Sequence, residues 1–168
     1  LRPKRGQIRM IQANYSQYSC HYDKYLEGTV LPAFDPQLSG GALYDINIYN
    51  LNLIIGLFGA PNNLIYQARK GFNGIDASGV VLMSYPEFQA LAIGAKDSDS
   101  PSTCLIQGEK GWLKVETAPN QLEKIACQIR GEDNIQEYAL NQYPHRLSHE
   151  FAAFAAMLAN KDFAGRDL

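Results

Sequence analysis

Seven short β-prone runs follow Pro61, and the shortness of the turns between them limits the folds open to this chain more than any other feature. The runs are Leu64 to Arg69, Gly79 to Tyr85, Phe88 to Lys96, Thr103 to Gln107, Gly111 to Val115, Lys124 to Arg130 and Ile135 to Tyr143. Turns such as Tyr85-Pro86-Glu87, Gly108-Glu109-Lys110-Gly111 and Gly131-Glu132-Asp133-Asn134 join antiparallel neighbours, so the sheet meanders. Ile125, Cys127 and Ile129 alternate with Lys124, Ala126, Gln128 and Arg130, the period of a strand with one face in a core. Before these runs come a β-prone stretch, Ile8 to Tyr15, and an aromatic-rich segment from Tyr18 to Ser39 that reads as a long loop. Next is an apolar run, Ala42 to Phe58, closed by Gly59 and Pro61; its length and its closing residues predict a helix. Ser39 is the candidate N-cap, and Asp45 lies near the positive end of that helix. A last helix is expected after Pro144, where Leu147, Phe151, Phe154 and Leu158 recur at helical spacing. The expected fold is α+β, an open, mainly antiparallel mixed sheet with helices packed on one face.

Composition narrows the function classes. At 168 residues the chain is sized for one domain, residues 1–168, expected to be a fragment of a longer protein because it begins at Leu1. A hydrophobic share of 46% and a charged share of 19% exclude a disordered chain. The net charge is −2 and the only basic cluster is Arg2, Lys4 and Arg5, which argues against a nucleic-acid surface. No apolar stretch approaches the ~20 residues of a membrane-spanning helix, so no membrane partner is expected. Cys20, Cys104 and Cys127 form neither a disulfide framework nor a C-x-x-C pair, consistent with a reduced, cytoplasmic protein. No metal site is expected: Cys20 and His21 are adjacent, and His145 and His149 have no partner at ligand spacing. Cys104, Cys127 and Trp112 read as packing residues. No G-x-G-x-x-G loop joins a strand to a helix, so no cofactor-binding residue is expected in this domain.

The helix over Ala42 to Phe58 is where chemistry could sit. At about 100° per residue, Asp45, Tyr49, Asn52 and Gly56 share one narrow arc, while Ile46, Leu51, Leu53, Ile55 and Leu57 fill most of the rest. Such a helix is expected to be buried, with its polar arc toward water, a ligand or another domain. Asp45 and Tyr49 are four residues apart and can act on one object. A phenol can serve as general acid toward a carbonyl or, ionised, as base toward an alcohol, and needs a nearby cation to ionise near neutrality. No lysine lies on this helix. The competing reading makes Asp45 a partner of the helix dipole and Tyr49 a packing residue.

The string Ser39-Gly40-Gly41-Ala42-Leu43-Tyr44-Asp45-Ile46-Asn47-Ile48-Tyr49-Asn50-Leu51 resembles the helix signature of the Gfo/Idh/MocA oxidoreductases. Gly6 to Ala13 resembles the strand that opens that family's C-terminal domain, Phe58-Gly59-Ala60-Pro61 the end of its helix, and Ile106 to Leu113 its sheet hairpin. The resemblance implies the C-terminal half of a two-domain enzyme whose other half, a Rossmann domain, holds NAD or NADP and supplies a catalytic lysine from a Glu-Lys-Pro segment. It implies Tyr49 as acid/base, as in the glucose-fructose oxidoreductase and dimeric dihydrodiol dehydrogenase branch. Asp45 accompanies Tyr49 at the catalytic centre, and Asn52 is a substrate-binding candidate. The implied substrate is a sugar-like or other secondary alcohol, or its ketone, and the implied assembly is a homo-oligomer formed through the sheet face. A non-catalytic, cofactor-sensing member is the alternative. Ser39 and Asn47 stand where the family commonly has glycine, and Asn47 is expected to narrow the approach to the nicotinamide.

Overall fold

The computed structural model describes residues 6–139, 141, 143, 145 and 147–160. Eight strands are present: β1 (Ile8–Ser16), β2 (Asn63–Lys70), β3 (Asp76–Ser84), β4 (Gln89–Ala95), β5 (Thr103–Gly108), β6 (Gly111–Val115), β7 (Ile125–Ile129) and β8 (Gln136–Tyr138). They form one sheet in the order β2-β3-β4-β1-β5-β6-β7-β8. Every neighbouring pair is antiparallel except β1 with β4, which run parallel from Met10 opposite Gln89 to Ser16 opposite Ala95. Short turns make β2 with β3, β3 with β4 and β5 with β6 antiparallel, and β1 meets β5 by long-range pairing. The parallel β1–β4 pair needs a long crossover, which residues 17–88 supply. The α+β architecture expected from the turns is the one observed.

The strands alternate their side chains between two faces. One face carries the buried Ile11, Ala13, Val81, Met83, Ala90, Ala92, Cys104 and Val115. A helix, α2 (Ile48–Phe58), covers it with Ile54 and with the partly buried Leu51, Leu53 and Phe58. Each large side chain so buried contributes about 1.5–3 kcal/mol of transfer free energy. The opposite face is open: Met10, Ile65, Val80 and Leu82 are exposed on it. No helix among the described residues is long and apolar enough to cross a membrane.

Four expectations are corrected. First, the run from Ala42 is not one α-helix: Leu43–Asn47 forms a wider π-helical turn that leads into α2. Buried amides fasten this turn to β4, because Asn47 Nδ2 donates to the Ala92 carbonyl at 3.2 Å and Asn50 Nδ2 to the Ile93 carbonyl at 2.9 Å. Second, the helix is only half buried. Ile46, Asn47, Asn50 and Ile54 face the sheet, while Tyr44, Ile55 and Leu57 stay exposed, since a single helix on a sheet buries one stripe. Third, the segment from Tyr18 to Ser39 is structured. It holds a short helix, α1 (Tyr22–Leu26), and two 3₁₀ turns, Pro32–Phe34 and Pro36–Leu38. Its aromatics build a second core in which Tyr25 stacks on Phe34 at 4.8 Å and on Phe72 at 4.5 Å between ring centroids. Fourth, β8 is confined to Gln136–Tyr138; Leu140 and Gln142 of the longer expected strand lie outside the described residues, as do Arg2, Lys4, Arg5 and Pro144. The last helix, α3 (Ser148–Asn160), is where the spacing put it, with Phe151, Phe154 and Leu158 exposed.

Candidate active site

The start of the helix is built from a glycine pair and a carboxylate on the sheet. Gly41 has φ +99°, and a Cβ there would lie 2.0 Å from Asp76 Oδ1. A Cβ on Gly40 would come within 2.7–2.9 Å of the backbone of Pro32, Ala33 and Asp35. The close approach lets Asp76, at the head of β3, accept from the Leu43 amide at 2.6 Å and from the Tyr66 hydroxyl at 2.5 Å. The cap is therefore Asp76, not Ser39. Ser39 instead closes the preceding 3₁₀ turn in the left-handed region, at φ 56° and ψ 33°, which is a physical reason for the glycine common at that position. Burial, and then the bond to Asp76, push the Tyr66 phenol well above its ordinary range.

Asp45 lies in the π-helical turn, with its side chain half exposed, and is ion-paired with the Lys96 ammonium. Lys96 directly follows β4 and is 3% exposed. It also donates to the Ala33 carbonyl at 2.5 Å and sits 4.5 Å from the centroid of the Phe34 ring. Tyr49 is one turn further on, 38% exposed, its ring edge-on to Tyr15 at 5.8 Å. Among the described residues its hydroxyl takes no hydrogen-bond partner. Asn52 is exposed on the same helix. Asp45, beside Lys96, and Tyr49, beside Tyr15, thus lie at the carboxyl end of the parallel β1–β4 pair, and Asn52 is nearly a turn further along the helix.

Two sequence readings fare differently. Asn47 does not reach toward a cofactor; it is 1% exposed and points into the sheet, where Gly94 makes room for it, because a Cβ on Gly94 would lie 2.6 Å from Asn47 Cβ. Cys104 and Cys127 are buried, and burial pushes the Cys104 thiol up to about 11, which suits packing rather than nucleophilic attack. No cluster of three or more metal-ligating side chains forms among the described residues. Lys96 and Asp76 were missed. Their signal was a charge at the end of an apolar run, Leu91-Ala92-Ile93-Gly94-Ala95-Lys96, and an acid opening another, Asp76 to Met83.

Residues 4–114, which contain this whole site, match the GFO/IDH/MocA C-terminal domain. The chain belongs to the Gfo/Idh/MocA family. Among its relatives, scyllo-inositol 2-dehydrogenase (NADP(+)) IolU of Bacillus subtilis is 33% identical over 155 residues, covering 92% of this chain and 47% of that protein. The oxidoreductase YgjR of Escherichia coli is 35% identical over 156 residues, covering 93% and 47%. The chain thus spans about half the length of the curated relatives it matches. In fold it is similar to the aldose-aldose oxidoreductase from Caulobacter crescentus, at a TM-score of 0.72 and 18% identity over 93% of this chain and 47% of the other. The Gfo/Idh/MocA segment includes both glycines of the helix start together with Asp45, Tyr49 and Lys96.

Proposed function

We propose that this chain is the substrate-side domain of an NADP- or NAD-dependent oxidoreductase that passes hydride between the nicotinamide and a secondary alcohol of a polyol or sugar, or its ketone. The observation that carries this reading is the accessible phenol of Tyr49 four residues after the carboxylate of Asp45, both at the open start of the helix. The activity named for the Bacillus relative supports a cyclic polyol as the substrate class and NADP as the cofactor.

The described residues contain no Gly-rich loop from strand to helix that would cradle phosphates, so a partner domain holds the dinucleotide. What this chain offers suits the nicotinamide end: an exposed phenol and a half-exposed carboxylate. Bound nicotinamide supplies the hydride acceptor or donor. Tyr49 takes the alcohol proton in oxidation and returns it to the carbonyl oxygen in reduction. Asp45 accepts from a substrate hydroxyl and so fixes which carbon faces the hydride, with Asn52 as a further hydrogen-bonding group. Lys96 is committed to Asp45 and Ala33, so the cation that Tyr49 requires comes from the lysine of the family's Glu-Lys-Pro segment in the nucleotide-binding domain. Asn47, expected to narrow the approach to the nicotinamide, is instead buried against β4. An intact Glu-Lys-Pro segment in the nucleotide-binding domain favours the enzyme over the non-catalytic alternative. The open sheet face, with Ile65, Val80 and Leu82 exposed, is the proposed homo-oligomer surface.

The test is Tyr49→Phe in the full-length protein, assayed with NADP+ and scyllo-inositol, glycerol and aldoses as probes. Turnover is expected to fall about 10²–10⁴-fold with melting nearly unchanged. A Tyr49→Phe enzyme within threefold of the parent would end the assignment.

A further inference from the structure

Among the described residues, Lys96 is the one buried charged side chain. Its backbone is tied on both sides: its amide donates to the Ala77 carbonyl at 2.8 Å, and its carbonyl accepts from the Ser19 amide at 2.9 Å. Its stem runs inward to the Phe34 ring, and its ammonium reaches Ala33 and Asp45. A buried ammonium is stable only when its protons are used, so this side chain has little freedom to move. The two members of the pair are unequal. Lys96 has 3% of its side chain exposed, whereas Asp45 has 51%. The fixed partner lies beneath, and the accessible carboxylate is held from below through Oδ2. Nothing in catalysis requires Lys96 itself to meet a substrate.

We infer that Lys96 is a positioning residue, anchoring one oxygen of Asp45 inside the domain so that the other is presented to the substrate in a fixed direction. This deepens the proposed function and rests on the role given there to Asp45. The same ammonium ties the Pro32–Phe34 turn to the helix start, so the second aromatic core and the site share one support.

The test is a double-mutant cycle in the full-length protein with NADP+ and the best of the probes above, comparing Lys96→Met, Asp45→Asn and the two combined. Methionine keeps the unbranched stem over Phe34 and removes the charge. A loosened carboxylate should raise KM for the polyol and lower kcat/KM about 10–100-fold. The double variant should be no worse than Asp45→Asn alone, within threefold, because both changes act through one group. A Lys96 that serves only the fold would lower the melting temperature and give losses that multiply, and that result overturns the inference. So does a Lys96→Met enzyme within threefold of the parent. Should Lys96→Met melt below the assay temperature, Lys96→Gln takes its place in the same cycle, with the same two outcomes. Tyr49→Phe, run alongside, separates the two ideas. If it retains activity, the proposed function falls; if it loses activity while Lys96→Met does not, only the positioning role falls.

Discussion

Ser39 holds a left-handed backbone conformation that costs a non-glycine residue about 1–2 kcal/mol. Ser39→Gly should therefore stabilise the domain by up to about 1 kcal/mol, part of the gain being returned to the freer unfolded chain. In a chain of this size that is a rise of about 2–4 °C in Tm, measurable by calorimetry; a fall in Tm would mean that the serine hydroxyl has a structural task. Gly41 is the opposite case. Gly41→Ala puts a Cβ against the capping carboxylate of Asp76 in a backbone conformation that alanine resists. The combined loss of conformation and cap should cost about 2–4 kcal/mol, read by urea unfolding, and a loss under about 0.5 kcal/mol would show that Asp76 can step aside. Two residues of one motif, with only Gly40 between them, thus carry opposite expectations.

At the scale of elements, β3 and the helix communicate through Asp76, which Tyr66 on β2 also engages. The phenol of Tyr66 is raised in the folded state by burial and by that carboxylate. A raised group stabilises the fold fully below its unfolded value, near ~10 for tyrosine, and loses that contribution as pH climbs toward the folded value. Thermal melting between pH 9 and pH 11 should accordingly fall less steeply for Tyr66→Phe than for the parent, and parallel curves would refute the linkage. The strands were legible because Gly, Pro and Asp at the turns are local signals, and so was the helix, from its apolar length. The π-helical turn was not, because its cause is distant: Asn47 and Asn50 bond to carbonyls of β4, more than forty residues away in the chain. Asp45 and Tyr49 could be named from their spacing on one helix. Lys96 could not, since only the folded sheet brings the end of β4 under Asp45.

For the whole molecule, the proposed oligomer rests on one face of the sheet, so a charge there is the sharpest probe. Leu82→Glu, at a residue 41% exposed on that face, should leave the fold intact and shift sedimentation of the full-length protein toward a smaller species. An unchanged mass would place the subunit contact elsewhere. The position of β1 has a different consequence, which concerns synthesis. It separates β4 from β5, strands that follow each other in the chain, and its Ile11 lies opposite Ala90 on one side and Ile106 on the other. At roughly 5–20 residues per second, a ribosome makes this strand about 5–20 s before its second partner exists. Until then a β-prone apolar segment waits with open hydrogen-bonding edges, which is the circumstance in which chaperones act and aggregation begins. The three strands from β2 to β4 can pair as they emerge, and so can the four from β5 to β8. Joining the two groups falls to the strand that was made first.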